Sequence, residues 1–163
     1  MVYYSLIYPF LIYCVQIWGL MYPTYLKSIL ITQKKIVRII TFSQHRAPSG
    51  PLFKSLSILI FLDVIKLQIL SFIFQWIHHL TPANFNNYFQ FASSLHPYST
   101  RQVSNNNIYI KSVNSTQYGL HFIQITGPSL SNSLPANLKN CSSVATFHRK
   151  LKHYYIDTYC KCC

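Results

Sequence analysis

Glutamate is absent from the 163 residues, and Asp63 and Asp157 are the only acids. Charged residues make up 10% of the chain, against about a quarter in ordinary soluble domains. Two acids so far apart in sequence are a poor basis for paired-carboxylate catalysis. They also fall short of the clustered carboxylates that two catalytic magnesium ions demand. The shortage of charge does not make the chain a disordered tail, because half of it is apolar and 16% is aromatic. Its length suits one domain and is short for two.

What the chain has instead is positive charge. Fourteen Lys+Arg give a formal net charge of +12. Such an excess creates a field that attracts nucleic acid or anionic membrane, and it says nothing of fold. With so few acids, most basic side chains must face solvent or phosphate. The five cysteines, Cys14, Cys141, Cys160, Cys162 and Cys163, are odd in number and form no disulfide framework. Cys14 lies in an apolar run and is expected as a buried small hydrophobe. Cys160-Lys161-Cys162-Cys163 looks like half of a metal site, with His148 and His153 upstream. No second pair follows at a zinc-finger interval, so the expectation is an unpaired tail and no metal. This cysteine usage favours a reducing, intracellular compartment.

Val2 to Leu26 carries no charge, and Lys27, Lys34, Lys35, Arg38 and Arg46 follow. Such a run is long enough to span a bilayer, with the basic segment on the cytoplasmic side. Against that stand Pro9, Gln16, Gly19, Pro23 and six tyrosines within the run. It lacks the basic start and small-residue cleavage site of a secretory leader. A small basic membrane protein anchored by residues 2–26, with a second embedded segment at 58–80, is therefore the alternative to a buried pair of helices.

Four blocks follow one another along the chain. Residues 2–22 are apolar on all sides, with Pro9 marking a kink or a helix start. Thr24 to Thr41 is amphipathic, and Thr24 is the expected N-cap. Leu26, Ile29, Leu30, Ile36, Val37 and Ile40 cover one side of it. Lys27, Lys34 and Arg38 form one stripe, with Lys35 at its edge. That stripe is either a solvated face or a phosphate-contacting one. Residues 42–51 read as a loop, since two prolines and a glycine in four positions oppose a helix. A short helix over Leu52–Leu56 and a turn near Ser57 come next. Leu62–Leu80 is a long helix with a narrow polar stripe of Gln68, Ser71, Gln75 and His79. His78 and His79 are read as complementing its C-terminal dipole. Residues 81–107 lose periodicity. Ile108–Val113 and Leu120–Thr126 alternate as strands do, and Asn114–Gly119 reads as the turn of a β-hairpin. Turns at Gly127-Pro128 and Leu134-Pro135 precede a final helix from about Ser143. Val144, Phe147, Leu151 and Tyr154 share one face of that helix. His148, Arg149, Lys150, Lys152 and His153 take the rest.

Six stretches, in order, carry a family resemblance. They are Tyr4-Ser-Leu-Ile-Tyr-Pro9 continuing to Trp18-Gly19, Gln33-Lys-Lys-Ile-Val-Arg-Ile-Ile40, Pro51-Leu-Phe-Lys-Ser-Leu56, His96-Pro-Tyr-Ser-Thr-Arg101, Asn132-Ser-Leu-Pro135 and Phe147-His-Arg-Lys-Leu-Lys152. Together they resemble the region after the polymerase palm in the reverse transcriptases of non-LTR (LINE-type) retrotransposons. The resemblance implies a parent that copies RNA into DNA at a nicked target, and it places the first helices near a thumb that grips primer and template. Such a grip acts through phosphates without reading sequence. The chain departs from the family in three ways. The palm and its Tyr/Phe-Ala-Asp-Asp turn are missing, Ser131 stands where the family usually has Trp before Asn-x-Leu-Pro, and the Cys-rich end has no counterpart. An aborted, drifting element copy accounts for all three.

The expected fold is mainly α, several packed helices with one small β-hairpin near residues 108–126. The expected divisions are a thumb-like region over 1–80, an irregular connection over 81–107, a hairpin-plus-helix module over 108–159 and a tail over 160–163. The expected role is that of a non-catalytic C-terminal fragment of an RNA-directed DNA polymerase, whose residual activity is nonspecific RNA or DNA binding. The candidate contacts are Lys27, Lys34, Lys35, Arg38, Arg149, Lys150 and Lys152. No cofactor and no catalytic residue is expected, and the parent's upstream polymerase core is the missing partner.

Overall fold

The computed structural model describes residues 2–95, 106–114 and 122–159. The chain is mainly helical, and the described residues contain no strand or sheet. It divides into two compact units, Met1–Gln68 with His148–Cys163, and Ile69–Phe147.

Unit 1 opens on a π-helical turn at Tyr3–Ile7, followed by α1 (Tyr8–Ile12) and α2 (Val15–Trp18). The uncharged run is thus broken into short pieces. Pro9 lies in the first turn of α1, where its missing N–H removes no helical bond. Among the described residues, no helix is long and apolar enough to cross a membrane. Cys14, expected inside, is exposed: it sits between α1 and α2 at φ 49°, and the left-handed turn there directs it outward. Gly19 follows α2, and a Cβ there would collide with the Val15 carbonyl and press on Ile65.

Helix α3 (Pro23–Ile40) begins with proline at its first position and Tyr22 before it, so Thr24 is inside the helix and not its cap. Leu26, Gln33 and Val37 are its buried residues. Helix α4 (Ser49–Ser55) starts earlier than the sequence suggests. Pro51 is its third residue, where no intrahelical N–H bond is due, so the proline-rich loop becomes a helix start. Helix α5 (Phe61–Ile77) carries Asp63 in its first turn, next to the positive end of the dipole.

Three successive helices end alike. Ser43 N–H reaches Arg38 O (3.0 Å), Ile58 N–H reaches Phe53 O (2.9 Å) and Leu80 N–H reaches Gln75 O (2.9 Å). In each case the residue before the donor has positive φ: Phe42 at 51°, Ser57 at 51° and His79 at 56°. These are Schellman ends in which a side-chain-bearing residue takes the place that glycine usually fills. His79 therefore lies past the helix, and the ring of His78 rests on Phe74 with centroids 4.3 Å apart.

A core of unit 1 gathers Tyr3, Val37, Phe53 and Ile58, with Tyr8, Leu11, Ile36 and Leu52 packed on it. The surface of this unit still exposes Phe10, Tyr13, Ile17, Tyr25, Ile39 and Phe42.

Unit 2 has a core of Ile73, Trp76, Phe89 and Ile108. After α6 (Ala92–Leu95) comes α7 (Ile123–Asn132), then α8 (Ala136–Lys139) and α9 (Val144–Thr158). The boundaries between the units fall within α5 and within α9.

The expected hairpin is corrected. Ile108–Val113 has no ladder among the described residues, only a single antiparallel bridge from Ile108 to Phe91. Ile123–Thr126, assigned to the second strand, is the first turn of α7. Most of the expected turn lies outside the described residues, as do His96–Arg101 and the cysteine tail. The turn expected at Gly127-Pro128 is also helical. Both residues are buried in α7, and a Cβ at Gly127 would lie 2.9 Å from Ile73 Cδ1. The missing side chain lets the α7 backbone approach α5 closely, and that packing outweighs the poor helix propensity of the pair. Helix α9 starts where expected: Ser143 Oγ accepts the Thr146 N–H at 3.2 Å as an N-cap.

Candidate nucleic-acid interface

All seven candidate cations belong to unit 1, on α3 and α9. Unit 2 holds only Arg101, Lys111 and Lys139 of the fourteen Lys+Arg. The positive field is thus concentrated on one unit.

The α3 stripe is set by which face is buried. Leu26, Gln33 and Val37 point inward at intervals of seven and four residues. The same intervals separate Lys27, Lys34 and Arg38, each one residue further on, so their stripe runs about 100° round the helix, along the flank of the buried face. Lys27 and Lys35 are exposed, and Lys34 and Arg38 are half-buried. Arg38 is partly committed, since its Nε–H donates to Ala47 O at 2.9 Å and pins the loop before α4. On α9, Arg149 and Lys150 are exposed. Lys152 is held back: its ammonium donates to Tyr4 Oη at 2.8 Å and stands 4.9 Å from the Tyr4 ring centroid. That pairing spans nearly the whole chain and joins α9 to the N-terminal turn.

Neither acid neutralises the stripe. Asp63 is engaged on both oxygens, by Lys66 at 3.0 Å and by the Tyr159 hydroxyl at 2.8 Å. Among the described residues, Lys66–Asp63 is the single ion pair. Tyr159 Oη also accepts the Ile60 N–H at 2.9 Å, so one phenol holds the entrance of α5 to the end of α9. Burial, with Asp63 beside it, pushes the Tyr159 phenol well above its ordinary value. Burial and Asp63 do the same to Tyr155. His148 moves the other way: burial first, and the Lys152 charge second, hold its imidazole below the usual value.

A residue to which the sequence pattern assigns no role proves central. Gln33 is fully buried. Its Nε2 donates to Tyr3 Oη at 2.7 Å and to Leu59 O at 2.9 Å. Its Oε1 accepts the Phe61 N–H at 2.8 Å. One amide thereby ties α3 to the first turn of the chain and to the start of α5. The sign that could have found it is a polar residue in the middle of the apolar arc of α3. Asn132 plays the same part in unit 2: its amide accepts the Ile108 N–H at 3.0 Å and donates to Ile108 O at 2.8 Å. This clamp explains why an asparagine opens Asn132-Ser-Leu-Pro135. The neighbouring Ser131 is buried and lines a cavity of about 460 Å³. This small residue therefore borders unfilled space.

No protein-family model, curated protein or solved structure matches the chain. Among the described residues, no cluster of three or more His, Cys, Asp or Glu could hold a metal ion.

Proposed function

We propose that unit 1 binds the phosphate backbone of RNA or DNA without sequence preference, as the non-catalytic, thumb-like, post-palm region of an RNA-directed DNA polymerase of the non-LTR type. The observation that carries this reading is a set of cations on α3 and α9 that no acid of the described residues pairs. Lys27, Lys35, Arg149 and Lys150 reach solvent on these two helices, and Lys34 lies half-buried between the first two. Such groups act as point charges that displace counterions from a polyanion. Aromatic side chains exposed on the same unit, Tyr25 and Phe42 among them, offer faces on which bases stack. Catalysis is not part of the reading: one of the two acids is already bonded on both oxygens, and the sequence contains no further carboxylate side chain to join it.

Filter binding against a salt series tests it, with a 20-nucleotide single-stranded RNA as probe. The affinity should fall steeply and linearly in log–log form. A combined Lys27→Ala, Lys34→Ala, Lys35→Ala variant should flatten the slope by about 0.7 for each phosphate that is no longer neutralised. A response that stays flat between low and moderate salt, or a slope unchanged in the variant, would overturn the reading.

A further inference from the structure

Unit 2 contains a cavity of about 460 Å³ that the phosphate-binding reading does not use. That size falls within the range of clefts that hold small organic ligands. Its walls are mostly apolar and aromatic, with Phe74, Phe91, Ile108 and Phe147 among them. They are also fixed. Phe74 and Phe147 stack with centroids 4.4 Å apart and planes at 14°. Ile108 is clamped on both backbone groups by the Asn132 amide. The segment bearing it is fastened to its neighbour by Ala92 N–H to Asn107 O (3.0 Å) and Tyr109 N–H to Gln90 O (2.8 Å). A cavity with such walls does not close by collapse.

One cation stands in this apolar wall. Lys139 lines the cavity, and its ammonium donates to Asn107 Oδ1 at 3.3 Å and Asn132 O at 3.2 Å. Both acceptors are neutral. An ammonium has three donors, so among the described residues one remains. Both acids of the chain lie in unit 1, so unit 2 has no side-chain carboxylate of its own to meet this charge. Burial lowers the pKa of Lys139 accordingly. A half-buried ammonium against stacked aromatic walls, with a donor to spare, is complementary to a ligand with a planar apolar body and one anionic end.

We propose that this cavity is a binding site for a small aromatic monocarboxylate, with Lys139 Nζ as the counter-ion and the Phe74–Phe147 pair as the wall against which the ring lies. The assignment is independent of the cations on α3 and α9.

Calorimetric titration of the full chain with 2-naphthoate and with its neutral analogue 2-naphthamide tests it. The carboxylate should bind at least tenfold more tightly than the amide. Lys139→Met should abolish that preference, and Lys139→Arg should retain most of it. Ser131→Trp should block both ligands by filling the cavity. Since that variant could alter the fold, the Met and Arg variants carry the decision on the charge. Equal affinity for the two ligands, no binding of 2-naphthoate, or a preference that survives Lys139→Met would each overturn the proposal.

Discussion

Replacing Gln33 by Met isolates the energetic role of the buried amide. Methionine nearly matches glutamine in length and helix propensity, so the helix itself should be little affected. What is lost is three hydrogen bonds at a fully buried position. Tyr3 can lose its partner cheaply, but Phe61 N–H and Leu59 O are backbone groups that no side chain can withdraw. A buried donor or acceptor left unsatisfied costs about 1–3 kcal/mol. Two of them, offset in part by the apolar gain of Met, give an expected loss of about 2–5 kcal/mol. That is a large share of the ~5–15 kcal/mol that holds an ordinary domain. The assay is urea unfolding followed by tryptophan fluorescence in a Trp76→Phe background. There the remaining Trp18, stacked on Phe61 at 5.6 Å, reports on unit 1. Tyr3→Phe supplies the second arm. It removes one bond to a side chain and should cost about 1 kcal/mol alone. Combined with Gln33→Met it should cost almost nothing, since its partner is already gone. If Gln33→Met is within about 0.5 kcal/mol of the parent, or if Tyr3→Phe costs the same in both backgrounds, the reasoning is wrong.

Two further outcomes follow from the fold. Phe42 is 98% exposed and holds a left-handed conformation, so Phe42→Gly sacrifices no packing and relieves about 1–2 kcal/mol of backbone cost. Part of this is returned through the greater freedom of glycine in the unfolded chain, leaving about 0.5–1 kcal/mol of stabilisation. The urea midpoint should rise at constant slope, while Phe42→Ala, which keeps the strain, should not raise it. The buried tyrosines make stability sensitive to alkali. Burial pushes Tyr3 up to about 12 and also raises Tyr8, Tyr155 and Tyr159. A phenol whose folded value exceeds its unfolded value of about 10 contributes stability that is complete below pH ~10 and declines above it. Thermal midpoints should therefore hold from neutral pH to about 9 and drop through about pH 10–12. A midpoint indifferent to that interval would contradict the burial.

The long helices were legible because a stripe of large apolar residues at helical spacing has few other readings. Leu26 and Val37 on α3, and Phe147 and Leu151 on α9, are buried as that pattern requires. Helix α7 was not legible for the opposite reason. Its buried residues are Gly127, Pro128 and Ser131, small or helix-averse types that register on no hydrophobic scale. Their value is steric, in letting two backbones come close, and sequence periodicity does not record it. Ile108–Val113 alternates like a strand, yet alternation creates no ladder without an opposing partner. The α3 lysine stripe was readable from spacing. The engagement of Lys152 by Tyr4 was not, because a pairing of residues 148 positions apart depends on the whole fold of unit 1. The cavity was invisible for the same reason.

The exposed Phe10, Tyr13, Ile17 and Phe42 share unit 1 with most of the cationic charge. Mutual repulsion between copies therefore opposes contact between these side chains. The reach of that repulsion shrinks from roughly 10 Å at 0.1 M salt to roughly 3 Å at 1 M. Electrolyte therefore has two expected effects on this polypeptide: it weakens the proposed phosphate contacts and lowers the barrier to coagulation. Loss of the proposed binding and loss of colloidal stability would both follow rising salt, so light scattering belongs beside every salt titration.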